Sequence, residues 1–143
     1  MPDDGFHPTL GSRPLRHVRG ADLTGATAQT AGMRRLAAIS GDTVGSQALW
    51  MGRTHVSPTA RSGNHHHGES ETAIYVVSGN PVFVFHDGER EVSLRTGPGD
   101  YVFVPPFVPH REENPSPDTE AVVVIARSTQ EAIVVNLPSL RPE

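Results

Sequence analysis

The chain contains no cysteine and no lysine. The first absence excludes disulfides, thiolate metal ligands and a cysteine nucleophile. The second excludes a Schiff base, a P-loop lysine and a lysine general base. All twelve basic residues are arginine, and they are scattered through a chain of net charge −4. The basic face of a nucleic-acid binder is therefore missing. No run of about 18 apolar residues occurs, so no segment reads as a membrane helix. Residues 1–14 are polar and rich in Pro and Gly, without the apolar stretch of a signal peptide. The expected location is the cytoplasm, and the expected partner is a small molecule rather than nucleic acid or membrane.

What is present is a chain of 143 residues, the length of one domain. Residues 1–32 show little periodicity and read as an N-terminal arm, ordered in part. Segment 33–40 (MRRLAAIS) reads as a strand or a single helical turn. From about residue 46 short runs rich in Val, Ile and aromatics follow one another: 47–56, 72–78, 81–87, 90–96, 100–105, 120–128 and 131–137. SerGlyAsn at 78–80 and AspGlyGlu at 87–89 are hairpin connections, and GlyProGly at 97–99 is a sharp break. Many short strands at this spacing predict an all-β sandwich or barrel over 33–143.

Three of the eight histidines lie together in SGNHHHGESE, 62–71. Alternate residues of a strand share a side, so His65 and His67 converge while His66 points away. Two imidazoles make half a metal site. His110, at the end of DYVFVPPFVPH, is the natural third ligand. Three imidazoles suit one divalent Fe, Zn, Mn, Ni or Cu ion and leave positions open for substrate or water. His86, in the HisAspGlyGlu turn, reads as a turn residue rather than a ligand.

Both segments together resemble the two signature motifs of the cupin family. In HHHGESETAIYVVSG, His65 and His67 match the HxH of the first motif and Gly79 its closing glycine. In GDYVFVPPFVPHREEN, residues Gly99, Pro105, His110 and Asn114 match the second motif in register. The resemblance covers roughly 46–137 and implies a single-domain double-stranded β-helix, a jelly-roll barrel, with a metal on the matched histidines. Two departures stand out. Phe107 replaces the glycine of the second motif, which implies an altered turn and an aromatic ring near the barrel mouth. The glutamate of the first motif falls on Glu71 when counted from His67, and on Thr72 when counted back from Gly79. A one-residue bulge would make Glu71 the fourth ligand; without it the site has three histidines and Glu71 faces away.

Aromatic lining of the pocket is expected from among Trp50, Tyr75, Phe83, Phe85, Tyr101, Phe103 and Phe107, of which strand parity admits about half. Arg53, on the face of His55, is a candidate clamp for a substrate carboxylate. Glu112 shares the parity of His110 and is a candidate base. Tyr75 completes the catalytic candidates. The resemblance implies a metal-dependent enzyme, with an Fe(II) oxygenase acting on a metal-chelating substrate as the leading expectation. A Zn-, Mn- or Ni-dependent isomerase, lyase or biosynthetic coupling enzyme is the alternative, and a non-catalytic ligand-binding cupin is another. It also implies a homodimer.

Overall fold

The computed structural model describes residues 14–142; residues 1–13 of the expected arm lie outside the described residues. Ten strands form: β1 (Met33–Ile39), β2 (Trp50–Val56), β3 (His65–His66), β4 (Thr72–Ser78), β5 (Val82–His86), β6 (Glu91–Arg95), β7 (Tyr101–Val104), β8 (His110–Glu113), β9 (Ala121–Arg127) and β10 (Val135–Asn136). They build two five-stranded sheets, ordered β1-β2-β9-β4-β7 and β10-β3-β8-β5-β6. Every pairing is antiparallel. From β2 onward the chain alternates between the sheets, apart from the β5–β6 hairpin. That winding is the expected double-stranded β-helix.

Alternation decides which side chains enter the barrel. Along β2, Trp50, Gly52, Thr54 and Val56 are buried while Met51, Arg53 and His55 are more exposed. Along β4 the buried residues are Thr72, Ile74 and Val76; along β9 they are Ala121, Val123 and Ile125. These meet in one core of Ala37, Trp50, Ile74, Val76, Phe83, Val104, Val123 and Ile125. Seven of these eight residues come from the first sheet; only Phe83 comes from the second. Val82 and Val84, on the outer side of β5, pack instead on Leu140 of the C-terminal segment.

The local chemistry of the turns follows from the residues in them. Asp87 accepts hydrogen bonds from the amides of Glu89 and Arg90, and Gly88 takes a φ of 103°. Gly79 also needs its glycine: φ is 81°, and a Cβ there would stand 2.7 Å from Ala121 Cα. Segment 33–40 resolves as strand β1, capped at its end by a helical turn, α1 (Gly41–Val44), that Ser40 and Thr43 close reciprocally. The run 131–137 shrinks to the two residues of β10.

Part of the arm is a working piece of the barrel. Thr24 bridges Ala37 and Thr30 bridges Met33. The Gln29 side chain donates to the carbonyl of Arg35 and accepts from its amide. Residues 24–30 thus cover the free edge of β1 in their own molecule, where an unpaired edge would invite association.

Candidate metal centre

The second sheet carries the histidines. His65 on β3 lies directly opposite His110 on β8, and His67 follows β3 as the chain leaves the sheet. One ligand atom from each of His65, His67 and His110 lies within 4.8 Å of the others. Ring centroids are 4.5 Å apart for His65 and His110, 4.8 Å for His65 and His67, and 5.0 Å for His67 and His110. His66 points away as parity requires: its Nδ1 accepts from the Gly68 amide, and its ring lies 5.7 Å from Phe107.

Each converging ring is held by its other nitrogen. Nδ1 of His65 meets the carbonyl of Gly63 at 2.8 Å, that of His67 meets Ile133 at 2.8 Å, and that of His110 meets Val108 at 3.0 Å. A carbonyl only accepts, so Nδ1 carries a proton in all three rings, and in the neutral ring the lone pair falls on Nε2. Burial pushes the His67 pKa down to about 4, against the pull of the Ile133 carbonyl. Burial likewise lowers His110, opposed by the Glu112 carboxylate. Both rings are therefore neutral near pH 7, the state that ligates metal. Nε2 of His110 is buried with no hydrogen-bond partner. A buried polar atom left without a partner is costly. Three anchored rings with ligand atoms within 4.8 Å of one another fit a divalent transition metal, which would satisfy that atom.

Glu71 is not brought to the histidine group. Glu71 is exposed and stands outside the histidine group, whereas Thr72 is buried and faces the lumen. The bulge that would have turned Glu71 inward does not form there; the irregularity in β4 falls between Val76 and Ser78 instead. Arg53 is a second correction. It lies on the outer face of β2, donates to His55 Nε2, and His55 in turn contacts Glu120. Tyr75 is a third: it is exposed on the outer face of β4, its ring 4.9 Å from that of Tyr101. Phe107 keeps the left-handed backbone that a glycine would serve, with φ 65°, and its amide bonds the Gly68 carbonyl at 2.8 Å. The ring is exposed and walls the groove that reaches His110.

Glu112 does enter the lumen. With His67, Ser70 and Thr72 it lines a cavity of about 110 Å³. On the far side of the histidines, Phe83, Phe85, Val102, Phe103 and Phe107 wall an apolar groove of about 520 Å³ that reaches His110. Trp50 is core rather than lining of either space, and Tyr101 stands outside. Two lumen arginines escaped the sequence reading: Arg35 and Arg127 both line the smaller cavity. Their signal was available, since Arg127 continues the inward parity of Val123 and Ile125. Asn114, matched by motif, is structural. Its Nδ2 donates to the carbonyls of Val56, Ser57 and Thr119, and its Oδ1 accepts from Ser116.

Fold and site together define a double-stranded β-helix with a three-histidine group that could hold a metal ion. The sequence pattern of the cupin domain matches residues 52–126, more than half of the chain, and the protein belongs to that family. No curated protein sequence matches it. Among solved structures it is similar to the polyketide cyclase RemF from Streptomyces resistomycificus, with 22% identity, TM-score 0.71, and coverage of 87% of this chain and 86% of that one. KdgF from a Halomonas species is similar at 18% identity and TM-score 0.64, over 82% of this chain and 96% of that one. The manganese-containing oxalate decarboxylase of Bacillus subtilis matches at 23% identity and TM-score 0.64, over 76% of this chain and 29% of that longer one. Identities this low establish the shared fold.

Proposed function

We propose that the protein is a metal-dependent enzyme acting on a small molecule, with His65, His67 and His110 as the metal ligands. The observation that carries this is the set of three Nδ1-anchored imidazoles around the unpartnered Nε2 of His110. A divalent metal bound there supplies Lewis acidity and, as Fe(II), electrons for dioxygen chemistry. The chain's own residues do the rest. The carboxylate of Glu112 stands in the cavity beside His67 as an acceptor for a substrate proton. The aromatic groove offers a substrate an apolar surface on the His110 side.

An Fe(II) oxygenase is the finer reading, supported by neutral ligands only and by the apolar groove. The alternative is a Zn-, Mn- or Ni-dependent isomerase, lyase or coupling enzyme, and the specific support for it is Glu112 placed as a base. Elemental analysis of anaerobically purified protein decides between them. Iron at one equivalent, with substrate-dependent oxygen uptake, is the oxygenase outcome. Zinc, manganese or nickel without oxygen uptake is the other, and no enriched metal ends both.

A homodimer is proposed on separate ground. The outer face of the first sheet exposes Met51, Tyr75, Tyr101 and Phe103. The same face carries Arg34 and Arg53 at its other side. A two-fold axis would set the tyrosines of one copy against the arginines of the next. Light scattering at micromolar concentration is expected to give twice the chain mass, and a monomer removes the proposal.

A further inference from the structure

The cavity beside His67 holds a charge pattern that metal binding does not require. Arg35 projects into it from β1 and Arg127 from the end of β9. Arg127 is fixed in place: Nε donates to the Thr129 carbonyl at 3.0 Å, Nη2 donates to that of Gln130 at 2.7 Å, and the guanidinium lies 4.2 Å above the Trp50 ring. Arg35 is tethered through one nitrogen, Nη1, which donates to Thr30 Oγ1 at 2.8 Å. Neither guanidinium forms a salt bridge among the described residues. Burial, with added repulsion from Arg35, lowers the pKa of Arg127. Two like charges facing one small space, neither of them paired in a salt bridge and with only the Glu112 carboxylate on the wall beside His67, are costly, and a bound anion offsets that cost.

We propose that Arg35 and Arg127 form a carboxylate subsite that orients a small organic acid with its other end toward the histidine group. The role of that other end rests on the metal reading above; the anion site does not. Its planar, bidentate donors suit a carboxylate. The space of about 110 Å³ limits the ligand to a small molecule, since a cavity of about 150 Å³ is the size that takes one benzene. Glu112, on the same cavity wall as His67, disfavours a second negative charge and so selects a monocarboxylate. Beyond Arg127 lies a wider groove of about 570 Å³ between the arm and the α1 segment, which gives the acid a way in.

The test uses L-lactate as probe and lactamide as its neutral isostere. Binding is measured by calorimetry, and by fluorescence of Trp50, the one tryptophan of the chain. Both are run on chelator-treated and on Zn(II)-loaded full-length protein. Lactate is expected to bind both forms saturably and lactamide at least about tenfold more weakly, the loss expected for a charge-assisted bond. Arg35→Gln, a change away from the packed core, is expected to weaken lactate to the same degree. Arg127→Lys keeps the charge over Trp50 but loses the fork, and is expected to weaken lactate with the fold intact by circular dichroism. Equal affinity for lactate and lactamide, unchanged lactate affinity in folded Arg35→Gln, or no lactate binding to either form would overturn the subsite. A parallel Zn(II) titration keeps the two readings apart. Lactate binding without zinc binding removes the metal centre and leaves the anion site; zinc binding without lactate binding does the reverse.

Discussion

The two sheets divide the work. The first, with strands of seven residues in four-fifths of its width apart from short β7, supplies seven of the eight residues of the main core. The second supplies His65 and His110 of the histidine group, on strands of two and four residues, and His67 just past the end of the shorter one. Long strands gain from cooperative pairing and from burial of a continuous apolar row. Short strands leave the backbone free to bend, which lets His67 leave the sheet and point its ring at the same place as His65. A long-stranded wall and a shorter-stranded wall face one another, and the histidine group belongs to the shorter-stranded one.

The sharpest way to break this division is to remove a ligand. His110→Ala is expected to lower affinity for Zn(II) or Fe(II) by more than about 100-fold, beyond the 10- to 100-fold typical of groups that merely support ligands. The metal-free protein is expected to stay folded, because the change also removes the unpartnered Nε2. Calorimetric metal titration beside a thermal melt reads both. Retained affinity would show that His110 is not a ligand.

The complementary change is in the long-stranded wall. Ile74 is 2% exposed in the centre of β4 and packs within the main core. Ile74→Ala is expected to cost about 2–5 kcal/mol of stability through lost burial and a cavity. Metal affinity measured below the transition should match that of the unaltered protein. Denaturant unfolding checks the first part, and a fall in metal affinity in the folded variant would show that the sheets are energetically coupled.

Asn114 is where the walls are tied. It follows β8 of the second sheet and donates to the Val56 carbonyl at the end of β2 in the first, at 3.1 Å. It is 2% exposed, so Asn114→Ala leaves buried carbonyls without their donor. The expected cost is about 1–3 kcal/mol. A melt of the variant checks it, and an unchanged midpoint would mean that water replaces the amide.

The same division explains what could be read from the sequence. Strand β9 was legible because AVVVIAR is an unbroken apolar run rich in Val and Ile, and β5–β6 because AspGly marks the hairpin. His65, His67 and His110 were legible because strand parity and the two motif spacings agree on them. Arg53 was misplaced because parity alone does not say which face is inner; Trp50, Gly52, Thr54 and Val56 took that face. Tyr75 failed for the same reason beside Ile74 and Val76. Arg127 was missed because a charged residue closing an apolar strand reads as an exposed end, while Trp50 and two carbonyls hold it in the lumen.

Glu71 gives the smallest expected effect and the finest test of the second sheet. Between His67 and Thr72 the chain makes a turn in which Gly68 takes a φ of 58° and the Ser70 amide bonds back to the His67 carbonyl at 3.1 Å. A turn resets strand parity, so counting from His67 says nothing about which side Glu71 takes. Parity within β4 decides instead, and it places Thr72 inward. The Glu71 backbone is pinned to Ser128 in both directions, amide to Oγ at 2.9 Å and carbonyl from the Ser128 amide at 3.1 Å. Reversing the Glu71 backbone to turn the carboxylate inward would break both bonds and expel Thr72 from the lumen. Glu71→Ala should therefore change metal affinity by less than about twofold and stability by less than about 0.5 kcal/mol, as for an exposed side chain outside any network. A tenfold loss of metal affinity in calorimetry would mean that metal binding itself refolds the 68–71 turn and draws the glutamate in.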